Sequence, residues 1–229
     1  MIVDVTRPGA ASDGLTLLSI RERRFGCHSG WSCALNFTTE IFMSPDEHYT
    51  AEKVDRRVRA WLEQFVVELN VCPFARPMVS SEALRIVVCD ATQYQDVAPI
   101  FMSELDLIQR SSESTVATTL LAIPFALCDF EEYLDFIDDA ESLLKKVGLS
   151  GVIQLASFHP NYQFEGEPME SAGHYTNRAP FPLIHFLREE MVTRALDQFP
   201  DPEQIPQRNI QTLEAMGDTK IEQMLKDLL

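Results

Sequence analysis

The stretch from Ser157 to Glu189 holds the side chains that are best suited to chemistry. Imidazoles, guanidinium groups, an amide and phenols are concentrated there between two apolar runs, and prolines stiffen the connection. A long polar loop that contains aromatic residues and is not rich in glycine and serine is atypical of a linker. We therefore expect the functional site here. The candidate residues are His159, Tyr162, Asn177, Arg178, His185, Arg188 and Glu189.

A clamp for an anion is the first chemistry that these residue types suggest. The apolar pattern of residues 182–198 predicts a helix with Arg188 near the centre of its apolar face, where a guanidinium needs a partner. Arg178 and Arg85 could join Arg188 in binding a carboxylate or a phosphate. The further substrate-binding candidates are Asn177 and Tyr162.

A structural role is the alternative for the same residues, and the sequence gives it about equal weight. In this interpretation Arg188 pairs with an internal carboxylate such as Asp90 or Asp129. His185 would then be a hydrogen-bonded histidine of the core.

His159 is the candidate general acid or base of the stretch. His159, His185 and Glu189 also form a set of two imidazoles and one carboxylate, which is typical of a mononuclear metal centre. These groups could converge only if the helix predicted over 182–198 begins at the sheet edge that carries His159. The H-x-x-x-E spacing is common by chance, so we expect no bound metal.

Cys72 is a further catalytic candidate. It follows the carboxyl end of a predicted helix, where the helix dipole disfavours a thiolate, so activation would require a nearby histidine or arginine. A small buried side chain beside Phe74 is the favoured alternative. No cofactor is predicted, because the chain has no GxGxxG, P-loop or GxSxG motif.

Hydrophobic periodicity predicts the elements that must position these residues. Short apolar runs bounded by turn residues indicate strands, and apolar positions at helical spacing indicate the helices between them. The predicted strands are 84–89, 118–123 and 151–157, and the predicted helices are 51–69, 96–110, 129–147, 182–198 and about 209–229.

This order predicts a small layered α/β domain. Strands that are separated by helices are expected to pair in parallel, so the sheet should be three-stranded and mainly parallel, packed by helices and followed by a C-terminal helix. Ligands bind beyond the carboxyl ends of such strands, where Asp90, Pro124 and His159 would lie.

Composition restricts the partners and the location. The 229 residues carry a net charge of -16, which disfavours nucleic acid and anionic membrane surfaces, and no apolar run is long enough to span a bilayer. The five cysteines include no CxxC pair, which favours reduced thiols and a cytoplasmic protein. We expect one domain over residues 51–229 and an N-terminal extension, residues 1–50, with little structure of its own.

Several motifs together resemble the domain-of-unknown-function family 1415 over about residues 54–217. They include LNVCPFAR, LRIVV, TTLLAIP, SFHPNYQF and HYTNRAPFPLIHFLRE. The resemblance implies an intact domain and no particular reaction.

Three functional hypotheses follow from the sequence. The first is an enzyme that acts on a small anionic metabolite, with an arginine clamp and His159 as acid or base. The second is a non-catalytic domain that senses a ligand or binds a protein partner. The third is a metal-dependent enzyme with the two histidines and the carboxylate.

Overall fold

The computed structural model describes residues 49–228. The predicted N-terminal extension lies outside these residues except for Tyr49 and Thr50. No helix within residues 49–228 is long and apolar enough to cross a membrane.

Four strands and seven α-helices make up the described part of the chain. The first helix continues without a break as a π-helical segment over Trp61–Val67, and short 3-10 helices lie at Ala172–Thr176 and Pro202–Gln204. The strands are β1 (Leu84–Val88), β2 (Thr118–Ala122), β3 (Ile153–Phe158) and β4 (Leu183–Arg188). The helices are α1 (Ala51–Ala60), α2 (Ala75–Val79), α3 (Tyr94–Arg110), α4 (Phe130–Lys146), α5 (Glu189–Asp197), α6 (Ile205–Met216) and α7 (Asp218–Lys226).

One mixed sheet has the strand order β1-β2-β4-β3. β1 and β2 are parallel, whereas β4 lies antiparallel between β2 and β3. The α/β class is confirmed and the three predicted strands are present, but the prediction of a three-stranded, mainly parallel sheet is wrong. The sheet has four strands, and only one of its three pairings is parallel.

The strand β4 replaces the first part of the helix that was predicted over residues 182–198. The helix α5 begins only at Glu189. β4 lies between two other strands, and both of its faces are packed, so four of its six residues are apolar and they do not alternate with polar ones. Periodicity alone does not separate such a run from a buried helix.

Each face of the sheet packs against its own layer of helices. The face that carries Leu120 and Leu183 packs against α1, the π-helical segment, α6 and α7. The face that carries Leu121 and Phe186 packs against α3 and α4. Successive strand residues point to opposite faces, so His185 and Thr118 lie on the same face as Leu120 and Leu183.

Local signals at the ends of the helices explain where several of them begin and stop. Asp129 caps α4, because its carboxylate accepts hydrogen bonds from the main-chain N–H groups of Glu131 and Glu132, each at 3.0 Å. α4 ends at Lys146, one residue before the predicted end, and Gly148 follows with a φ of 74°, the left-handed conformation that glycine favours at helix ends. The terminal helix was predicted as one element, but Gly217, with a φ of 77°, separates α6 from α7.

Candidate functional site

The direction of β4 separates the residues of the predicted metal set. His159 follows the carboxyl end of β3, and Glu189 follows the carboxyl end of β4. The two strands are antiparallel, so these residues lie at opposite ends of the strands. There the N–H of Glu189 donates to the carbonyl of Val152 at 3.0 Å, and a side-chain oxygen of Glu189 accepts from the N–H of Gly151 at 3.2 Å. His185 lies in the middle of β4. The set is not assembled, and no group of three or more His, Cys, Asp or Glu side chains within residues 49–228 is placed to hold a metal ion.

His159 is completely buried between the rings of Phe130 and Tyr133, whose centroids lie 5.1 and 5.2 Å from its own. Its Nε2–H donates to the carbonyl of Leu127 at 3.2 Å, and its Nδ1 accepts from the N–H of Asn161 at 3.1 Å. Burial lowers the pKa of His159 to about 4. Both nitrogens therefore hold loops together.

Asn177 and Tyr162 hold the connection between β3 and β4 against the carboxyl end of β3. The side-chain amide of Asn177 donates to the carbonyl of Ser157 at 3.0 Å, and the hydroxyls of Tyr162 and Ser157 are 3.3 Å apart. Arg178 donates from Nε to the carbonyl of Tyr162 at 3.3 Å, and its guanidinium lies 4.3 Å from the centroid of the Tyr175 ring. These contacts fix the loop.

The three arginines of the predicted clamp lie apart. Arg188 does not pair with Asp90 or Asp129; it donates to the main-chain carbonyls of Ile108, Ser111 and Val116 over distances of 2.6 to 3.1 Å. It thereby fastens the connection from α3 to β2. Arg85 forms a bidentate ion pair with Glu104: its Nε and Nη2 donate to the two carboxylate oxygens at 2.7 and 2.9 Å. Arg178 lies beside the loop that follows the carboxyl end of β3, whereas Arg188 lies at the opposite end of the strands, so the three arginines do not form a common clamp.

A cavity of about 340 Å³ lies against the sheet face that carries His185. The π-helical segment, α2 and α5 enclose it from the other sides. Of the predicted catalytic residues, Cys72 and His185 line this cavity, whereas His159 and Glu189 do not. Its lining is mainly apolar and consists of Trp61, Leu62, Val66, Cys72, Pro73, Phe74, Ala75, Pro77, Met78, Val79, Leu84, Thr118, Leu120, Phe158, His185, Leu187, Met191, Val192, Ala195 and Gln198.

Two polar side chains of the sheet meet at this cavity. The hydroxyl oxygen of Thr118 lies 2.6 Å from Nε2 of His185 and 2.6 Å from the carbonyl oxygen of Phe186. Burial lowers the pKa of His185 to about 4. The imidazole is therefore neutral at neutral pH and presents a hydrogen-bonding group rather than a charge.

Cys72 adds a thiol to the lining. Its side chain is buried and free, and burial raises its pKa, so the neutral thiol is the stable form at neutral pH. Cys89 is also buried and free.

Sequence reasoning did not single out Trp61 and Thr118, which both line the cavity. Trp61 fitted the apolar stripe of the first helix, yet its buried indole N–H has no hydrogen-bond partner within residues 49–228. Thr118 was part of a predicted strand, and a hydroxyl at the start of an otherwise apolar run was the available signal. The π-helical segment that brings Trp61 to the cavity has no signature in the apolar pattern; such segments are frequent at functional sites.

Comparison with known protein families gives one result. The model of the family "Protein of unknown function (DUF1415)" matches residues 53–223, which is more than half of the chain. Neither the curated proteins nor the solved structures that were compared gave a match. The chain therefore belongs to the DUF1415 family.

Proposed function

We propose that this protein binds a small, mainly apolar molecule in the cavity beside His185. The observation that carries the proposal is the cavity itself: about 340 Å³ of space between the sheet and the helices. Its apolar lining is interrupted by the His185–Thr118 pair, the Cys72 thiol and the Gln198 amide. Small-molecule sites in proteins typically have this size and this composition, with a few polar groups that orient the ligand.

The chemistry of the lining favours an uncharged ligand. Among residues 49–228, none of those that line the cavity is a lysine, an arginine, an aspartate or a glutamate, and His185 is neutral at neutral pH. A carboxylate or phosphate placed there would lose its hydration without gaining a counter-ion, which costs several kcal/mol or more. The sensing alternative of the sequence therefore has more structural support than an enzyme for small anions, which remains a prediction without an assembled site.

Binding can be tested with two isomeric probes, 1-octanol and heptyl methyl ether. We expect at least one of them to bind the full chain with a one-to-one stoichiometry in calorimetry and to raise its melting temperature. Extraction of the purified protein with organic solvent, followed by mass spectrometry, would show whether an apolar molecule copurifies.

A matched pair of variants locates the binding. Ala195 lines the cavity from α5, so Ala195→Phe should fill part of it and weaken the binding of both probes at least tenfold. Thr193→Phe places the same ring on the exposed side of the same helix and should leave binding unchanged. If neither probe binds the wild type, or if Ala195→Phe binds both as well as Thr193→Phe does, the proposed function is wrong.

A further inference from the structure

The hydrogen bonds of Thr118 determine which nitrogen of His185 carries the proton. The Thr118 hydroxyl has one proton and two neighbours at 2.6 Å, the carbonyl of Phe186 and Nε2 of His185. A carbonyl oxygen can only accept, so the hydroxyl must donate to Phe186. The hydroxyl oxygen is then an acceptor, and His185 donates to it from Nε2–H.

Nδ1 of His185 is consequently the unprotonated nitrogen of a neutral ring. A neutral imidazole has one donor nitrogen and one acceptor nitrogen, and here Nε2 is the donor. Within residues 49–228 the only hydrogen bond of the His185 side chain is the one to Thr118. The ring that carries this unused acceptor lines the cavity.

Among the described residues, Trp61, which also lines the cavity, has an unpaired hydrogen-bond donor, whereas His185 has an unpaired acceptor. Its side chain is 2% exposed, and its indole N–H is a donor without a partner in the described part of the chain. The Trp61 ring packs edge-to-face on Phe158, with centroids 5.4 Å apart, and both rings line the cavity. A buried donor that is left unsatisfied costs free energy, which a ligand acceptor would recover.

We infer that the cavity selects a neutral amphiphile whose polar end is a hydroxyl. The hydroxyl donates to Nδ1 of His185, and its oxygen can accept from the indole N–H of Trp61. An ether can only accept, so it leaves Nδ1 unpaired. A carboxylate adds a charge that no cation among the described lining residues balances. This inference rests on the proposed function and specifies the class of ligand.

Three probes of similar length test the choice at pH 7.5: 1-octanol, heptyl methyl ether and octanoate. We expect 1-octanol to bind roughly fivefold to tenfold more tightly than its ether isomer, which is the usual effect of one buried hydrogen bond, and octanoate to bind more weakly than both. Equal affinity of the alcohol and the ether would overturn the inference and leave the proposed function intact. Binding of neither would instead overturn the proposed function.

Two variants connect the selectivity to the hydrogen bonds. His185→Phe keeps an aromatic ring and removes the acceptor, so it should bind the alcohol and the ether equally. Thr118→Val removes the group that holds the proton on Nε2, so the preference for the alcohol should fall several-fold. A preference for the alcohol that both variants retain would show that it does not come from this pair.

The tautomer can also be measured directly in the wild-type protein. Long-range proton–nitrogen NMR correlation identifies the protonated ring nitrogen of each histidine, and His185→Phe or selective labelling assigns the signal. We expect His185 to carry its proton on Nε2 and its Nδ1 signal to shift on addition of 1-octanol but not of the ether. A proton on Nδ1 would overturn the inference.

Discussion

Asn209 of α6 donates a hydrogen bond from its side-chain amide to the main-chain carbonyl of Val71 over 2.6 Å. Both residues are buried, with Asn209 1% exposed. Val71 directly precedes Cys72, which lines the cavity. The bond therefore connects the C-terminal helices to the chain segment that forms one side of the candidate site.

Replacement of Asn209 by leucine should destabilise the fold by about 1–3 kcal/mol, because it leaves the buried carbonyl of Val71 without a donor. Gln211→Leu, at an exposed position of the same helix, is the matched control and should change stability little. Urea unfolding followed by circular dichroism measures both free energies. Equal effects of the two variants would show that the hydrogen bond contributes nothing.

Arg188 should not tolerate lysine. Its planar guanidinium reaches three carbonyls that surround the connection from α3 to β2, a geometry that an ammonium group cannot reproduce. We expect Arg188→Lys to lower the free energy of unfolding by about 2 kcal/mol, since buried acceptors lose their partner. Arg194→Lys, at an exposed arginine of the following helix, should have almost no effect. If both substitutions are neutral in urea unfolding, Arg188 does not have the structural role described here.

The sequence predicted the elements with clear local signals and missed the one without them. β1, β2, β3 and the stop of α4 at Gly148 follow from short apolar runs and a glycine of positive φ. β4 has no alternation, because neighbours on both sides and packing on both faces bury it. Its tertiary environment, rather than its own pattern, makes it a strand.

This one element also explains the errors at the site. A helix over residues 182–198 would have placed His185 and Glu189 on one side, near His159. Because β4 is a strand, His185 lies on the sheet face and Glu189 lies at the end of the strands opposite to His159. The candidate residues His185 and Cys72 do share a cavity, but that cavity depends on a π-helical segment and on α5, whose positions no local pattern predicts.

Buried His159 and half-buried His185 make the stability of the fold pH-dependent. Burial lowers the folded-state pKa of His159 and of His185 to about 4, below the unfolded-state value near 6.5. As the pH falls, the unfolded chain therefore binds protons before the folded chain does. The stability contributed by the neutral rings is present above about pH 6.5 and is lost toward pH 4, by about 2 kcal/mol for each histidine at pH 5.

Urea unfolding at pH 7.5 and at pH 5.0 measures this loss. The difference between the two pH values should shrink in His159→Asn and in His185→Phe, because neither replacement side chain titrates in this range. Carboxylates that titrate near pH 5 contribute equally to wild type and variants, so the comparison isolates the histidines. An unchanged pH dependence in both variants would contradict the assignment of neutral buried rings.

Trp61 should report directly on a ligand in the cavity. The chain has two tryptophans, so the variant Trp31→Phe leaves Trp61 as the only indole emitter. Because Trp61 is buried and lines the cavity, its fluorescence should resist iodide in water and be quenched by 8-bromo-1-octanol, whose bromine acts only at close range. The quenching should saturate, and Ala195→Phe in the same background should weaken it at least tenfold, whereas Thr193→Phe should not. Quenching that rises linearly with probe concentration and is identical in all three proteins would indicate collision from solvent and no bound ligand.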